Sequence, residues 1–138
     1  MQQVDLTKTL EELEDARWRE PNFTSQLVLK IHELRKKALG EWSEEDLRLV
    51  ILQQMSLDIL LPIALERLIE NPLASGDLYI GDLFCSVLKV DKEYWEDHKE
   101  LKNELNEVIR VYEEARETIE EQISKYRGLP NISDMNGE

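Results

Sequence analysis

Asp58-Ile59-Leu60-Leu61-Pro62-Ile63-Ala64-Leu65-Glu66-Arg67-Leu68-Ile69, closed by Asn71-Pro72, is the stretch that decides the fold. Its apolar residues recur at three- and four-residue steps, the period of a helix and not of a strand. They cover nearly the whole circumference of that helix. A helix with so narrow a polar edge is stable only at the centre of a domain, wrapped by others. Its start lies near Ser56 or Asp58. If Asp58 is the N-cap, Pro62 costs one hydrogen bond at most; an earlier start makes Pro62 a kink. Asn71-Pro72 ends it.

The same period runs outward in both directions. Thr9 and Glu12 form a capping-box pattern, and the first helix runs from there to about Arg17 with Leu10, Leu13 and Arg17/Trp18 on one stripe. Glu20-Pro21-Asn22 breaks it. The second helix starts at Thr24 or Ser25 and buries Leu27, Ile31, Leu34 and Ala38. Arg35, Lys36 and Lys37 suit its negative end, and Gly40 terminates it. Ser43 caps a third helix that carries Glu44, Glu45 and Asp46 in its first turn and Leu47, Val50, Ile51 and Gln54 beyond. After the central helix, residues 72–82 form a loop punctuated by Gly76 and Gly81. A fifth helix covers about Asp82 to Lys89, and Asp91 caps a short segment from Lys92 to His98. The last helix runs from Lys99 to Tyr126. Its stripe, Leu101, Leu105, Val108, Tyr112, Ala115, Ile119, steps by four, three, four, three, four. That is short for an independent coiled coil, so the helix is expected to lie antiparallel along its own bundle.

The reading is therefore an all-α, single-domain bundle of about six helices with a long C-terminal helix. The domain spans 1–127, and 128–138 forms a disordered tail. Composition agrees. Leu (22) and Glu (21), both good helix formers, make up almost a third of the 138 residues, while Gly and Pro together number nine. No apolar run approaches the roughly 18 residues of a membrane span, and no signal-peptide pattern opens the chain. One cysteine excludes an internal disulfide and a multi-cysteine metal site. A cytoplasmic location fits all of this.

Thirty acidic against 17 basic residues give a net charge of −13. Such a chain repels nucleic acid and anionic membrane, so its partners are neutral or basic. Catalytic patterns are absent: no Walker loop, no nucleophile elbow, no dinucleotide fingerprint and no paired metal-ligand histidines. His32 and His98 read as surface or boundary residues. Cys85 reads as a small buried thiol without a basic neighbour to activate it. The carboxylates at helical spacing around Glu113, Glu114, Glu117 and Glu121 read as a solvated face. Trp18, Trp42 and Trp95, each beside a helix end, read as lids on the core, with an interface anchor as the other reading. No enzyme, cofactor or metal is expected.

The least generic feature is Gly76-Asp77-Leu78-Tyr79-Ile80-Gly81-Asp82. Structurally, Asp77 and Asp82 accept backbone N–H groups and Asp82 caps the next helix. Functionally, Asp77, Tyr79 and Asp82 present a rigid acidic and aromatic edge to a basic partner. Both readings stand together, because a capping carboxylate uses only part of its acceptor capacity.

Glu45-Asp46-Leu47-Arg48, a glutamine at 53 or 54, Leu60-Leu61-Pro62-Ile63-Ala64-Leu65-Glu66 and Asn71 through Leu83 occur here in a distinctive order and spacing. Together with Ile31 through Leu39 upstream and Tyr94-Trp95 with His98 and Leu101 downstream, they resemble the small helical immunity proteins of bacterial contact-dependent growth inhibition. The resemblance covers about Thr9 to Glu107. It departs at Gln54-Met55-Ser56-Leu57, where a glycine is common, and at Ile80, where a proline is common. It implies a non-enzymatic cytoplasmic antidote, monomeric or weakly dimeric when free. The antidote would bind the C-terminal toxin domain of an exported effector, a basic nuclease of which some resemble ribonuclease A. The contact surface is expected among Trp42, Glu44, Glu45, Asp77, Tyr79 and Asp82. The rival readings are a helical adaptor pairing through its last helix and, more remotely, a hydrolase using clustered carboxylates.

Overall fold

The computed structural model describes residues 3–19 and 25–129, and among them every regular element is helical. In chain order these are α1 (Leu10–Glu14), α2 (Gln26–Leu34), a 3-10 turn (Leu39–Glu41), α3 (Glu44–Leu52), α4 (Leu57–Glu70), α5 (Asp82–Leu88), α6 (Lys92–Asp97) and α7 (Lys99–Tyr126). The short segment after Asp91 thus counts as a helix of its own, which makes seven among the described residues. Glu20-Pro21-Asn22, Thr24 and residues 130–138 lie outside the described residues.

α4 is the centre, as its sequence demands. Leu60, Leu61, Ala64, Leu65 and Leu68 are fully buried, and α3, α5 and α7 pack around it. It begins at Leu57 after Ser56, so Asp58 stands in its first turn and is not its cap. Pro62 sits one turn in, where it withholds the N–H that the Asp58 carbonyl would otherwise accept. Trp42 and Trp95 belong to the core outright, while Trp18 lies half-buried under the Arg35 guanidinium, 4.7 Å from its ring centre. His32 is buried, where the sequence suggested a boundary.

Two helices end earlier than their periodicity implies. α1 stops at Glu14 because Asp15 turns left-handed (φ 49°). α2 stops at Leu34 and not near Leu39: Lys36 and Lys37 donate to the Glu33 and Leu34 carbonyls three residues back, the Arg35 carbonyl accepts the Glu11 N–H (3.2 Å), and the Arg35 side chain reaches Glu14 (2.5 Å) and the Ala16 carbonyl (2.9 Å). Leu39 and Gly40 then donate to the carbonyls of Lys8 and Leu6, and this pins the 3-10 turn to the N-terminal segment. Ala38 therefore lies outside α2, and Gly40 is not its terminator. The Thr9/Glu12 capping box forms on α1, and Ser43, the expected cap of α3, forms a box of its own with Asp46.

Between α3 and α4, Gln54 (φ 60°) and Ser56 (φ 53°) both take the left-handed conformation, which explains why a glycine suits this turn. A non-glycine residue there gives up about 1 kcal/mol. Gln54 recovers little of it through long contacts with Lys89 and Asp91 (3.5 and 3.3 Å). Gln54→Gly is therefore expected to stabilise the protein by about 0.5–1 kcal/mol, read as an upward shift of the thermal or urea midpoint.

α7 has the predicted limits, but it does not lie along the bundle for its whole length. Only Leu101, Leu105 and Val108 are buried on it, with Ile109 and Tyr112 half-buried, and everything beyond Tyr112 is free of the core. Among the described residues, no helix is long and apolar enough to cross a membrane.

Candidate functional site: a fixed loop with an apolar tip

Residues 71–81 join α4 to α5 and lie against the N-terminal turn of α3. Asn71 Oδ1 accepts the Leu73 N–H at 3.0 Å and so starts the turn. Ser75 Oγ donates to the Leu73 carbonyl (2.6 Å) and accepts from Gly81 N–H (2.8 Å), which closes the loop across its neck. At Gly76 the backbone presses on α3. A Cβ there would stand 2.9 Å from the Glu45 Cα, a distance side chains do not tolerate, so only glycine fits. Gly81 turns left-handed (φ 87°) and acts as the N-cap of α5.

Asp82 holds the loop from inside. It is 1% exposed. Its Oδ1 accepts from Gly76 N–H (2.6 Å), and its Oδ2 from Leu78 (2.9 Å) and more weakly from Tyr79 (3.4 Å). Arg48 Nε stands 3.9 Å away, and Arg48 itself forks onto Glu45 at 2.7 and 2.6 Å. Glu45 Oε1 in turn accepts the Asp77 N–H at 2.9 Å. Burial pushes the Asp82 carboxyl up, but the three N–H donors and the Arg48 charge outweigh it and hold the group below the usual aspartate range. Hydrogen bonding to Arg48 likewise lowers Glu45, against a smaller opposing effect of burial. Two carboxylates, held by one guanidinium, thus engage four consecutive backbone N–H groups, those of residues 76–79.

What this framework displays is apolar. Leu78, Tyr79 and Ile80 are 64%, 50% and 78% exposed, three large side chains in a row on a loop with no freedom to fold them in. Asp77 is exposed beside them. The Cys85 thiol on α5 interacts with the Tyr79 phenol and raises it above its ordinary pKa. Cys85 is half-buried and not fully enclosed.

The six residues singled out from sequence divide accordingly. Asp77 and Tyr79 lie together at the tip. Glu44 is part-exposed on the first turn of α3 and lies 3.5 Å from Arg67. Glu45 and Asp82 face inward and position the loop, so they offer a partner little or nothing. Asp82 also does not cap α5, which it enters as the first residue. Trp42 is corrected from a surface anchor to a core residue: it is 2% exposed, and its indole N–H donates to the Lys37 carbonyl at 3.2 Å. Sequence reasoning passed over Leu78 and Ile80. Their signal was present as three adjacent apolar residues between two glycines.

A second cluster lies at the mouth of an open groove of about 740 Å³ lined by Val4, Leu13, Ile59, Pro62 and Leu101. There Tyr94 donates to Asp58 at 2.5 Å, His98 Nε2 stands 3.4 Å from the same oxygen, and the two rings stack at 3.8 Å. Burial first, then the Asp58 bond, pushes the Tyr94 phenol up, making it a poorer acid. The cluster ties the start of α4 to the corner between α6 and α7.

Comparison with known proteins gives one finding. The sequence pattern of a family described as CDI immunity proteins, those of contact-dependent growth inhibition, matches residues 12–105. No curated protein and no solved structure matches the chain. The matched stretch runs from α1 into α7 and contains the whole fixed loop and its framework. On that match, which covers about two thirds of its length, the chain belongs to the CDI immunity protein family.

Proposed function

We propose that this protein neutralises the C-terminal toxin domain of a contact-dependent growth inhibition effector in the cytoplasm. It does so by seating the Leu78-Tyr79-Ile80 tip, with Asp77 at its edge, on the toxin's active site or substrate path. The observation that carries this reading is the buried carboxylate framework under an exposed apolar tip. Folding alone gains nothing from holding three large apolar side chains in water, whereas binding gains from having their loop ordered beforehand. Exposed aromatic and aliphatic anchors on rigid backbone are the usual centre of a tight interface.

The net charge of −13 supports a basic partner. A nuclease presents cationic surface to phosphate, and an acidic inhibitor is steered to that surface quickly. We take the toxin to be such a nuclease, of the ribonuclease A type. The protein itself performs no chemistry in this account.

The test is to express the toxin domain encoded by the reading frame immediately upstream, with and without this protein. Growth should be restored by co-expression, and RNA cleavage by the purified toxin should cease at equimolar inhibitor. The association rate should fall at least about tenfold between low salt and about 0.5 M salt, because screening removes the steering. A toxin that kills and cleaves RNA regardless of this protein contradicts the reading.

A further inference from the structure

Beyond Tyr112, α7 continues without the bundle. Phe84 of α5 meets the Tyr112 ring edge-on at 5.9 Å, and from there to Tyr126 no residue is buried. The apolar stripe nevertheless goes on through Ala115, Ile119, Ile123 and Tyr126, with Ile119 57% and Tyr126 90% exposed. A bare helical extension of roughly four turns is marginal in water, which makes a covering partner physically useful.

The placement of charge identifies that partner. At about 100° per residue, Tyr112, Ala115, Ile119, Ile123 and Tyr126 fall within about 40° of one line along the helix. The five carboxylates of this half, Glu113, Glu114, Glu117, Glu120 and Glu121, all lie about 100° or more from that line. The stripe is bordered instead by Val111, Arg116 and Gln122. In a chain of net charge −13, this face carries no acid at all. A surface meant for a basic partner would set carboxylates beside its apolar seam, as Asp77 stands beside the loop tip. A surface on which two acidic chains meet must withdraw them.

We infer that the outer half of α7 is a contact between two copies of this chain, packed antiparallel with Ile119 near the two-fold axis. That arrangement sets Tyr112 beside the second copy's Tyr126 and opposes the helix dipoles. It also keeps the Arg116 side chains apart, which a parallel pair would place face to face. About four turns of one helix on each side make a small seam beside the roughly 800 Å² per partner of a standard interface, so the dimer is weak and depends on concentration.

Sedimentation of the full-length protein without any toxin tests this. Expected is a monomer that becomes a dimer with rising concentration. Salt should tighten the dimer several-fold, because it screens the repulsion between two negative chains, the opposite of its effect on a charge-steered complex. Ile119→Glu should remain monomeric with an unchanged melting temperature, since the site is exposed. In a Cys85→Ser background, Ile119→Cys should form an intermolecular disulfide readily and Glu117→Cys, on the far face, should not. A wild-type monomer at every concentration, a dimer that survives Ile119→Glu, or equal cross-linking at 117 and 119 would overturn the inference.

Discussion

Replacing Leu78, Tyr79 and Ile80 together with serine is expected to weaken toxin binding by at least about 100-fold while leaving the melting temperature within a degree or two. The asymmetry follows from exposure. The three side chains are 64%, 50% and 78% exposed, so the folded monomer loses little by their truncation. In a complex, two of them buried as anchors would each contribute about 2 kcal/mol, and together that exceeds the 100-fold threshold. Titration calorimetry or surface-based kinetics against the purified toxin domain measures it, with the loss appearing chiefly in the dissociation rate. Substituting Asp77 with lysine alone should act on the association rate, with a smaller total effect that vanishes at high salt.

Asp82→Ala carries the largest expected cost to stability, about 3 kcal/mol. The substitution leaves the N–H groups of Gly76 and Leu78 without an acceptor and removes a carboxylate facing Arg48. Each buried donor left unpaired costs about 1–3 kcal/mol, partly recovered as the loop opens to water. Chemical denaturation of the full chain reads this directly. Because the loop opens, toxin affinity falls too, although Asp82 has no surface to touch the toxin. The pH dependence follows from the depressed pKa of this group. Its stabilisation is complete above the unfolded aspartate value and is lost as pH falls through the lower folded value. Asp46 behaves in the same sense. Burial raises it, but the Ser43 N–H and the charges of Lys37 and Lys30 outweigh burial and lower it overall. Unfolding free energy should therefore decline below about pH 4, and Asp82→Asn should flatten part of that decline.

The fold was legible wherever a pattern is local. An apolar run that wraps a whole helix places α4 at the centre, and the Thr9/Glu12 box and the Ser43 cap mark two helix starts, because the partners lie three residues apart. What stayed hidden depends on groups distant in the chain or on backbone. Nothing near Arg35 announces that the last turn of α2 will tighten and that the Glu11 N–H will take the Arg35 carbonyl. That Asp82 accepts backbone N–H groups is legible from its loop, but its burial beside Arg48 and its choice of Gly76, Leu78 and Tyr79 are not. Trp42 beside a helix end reads as a lid, with an anchor as the other reading, and its burial with the indole on the Lys37 carbonyl decides for the lid. α7 shows one continuous stripe, and only the packing reveals that the bundle ends under it at Tyr112. The loop stands out in the sequence by its two Gly-Asp steps, but its charge marks Asp77 and Asp82, while the large side chains that it exposes are Leu78, Tyr79 and Ile80.

Amide hydrogen exchange on the toxin complex locates the contact surface segment by segment. Toxin should slow exchange across residues 77–81 and the first turn of α3, with α4 unchanged because its amides are already protected in the free protein. Protection confined to another face, with residues 77–81 exchanging as fast in the complex as alone, would contradict the proposed contact.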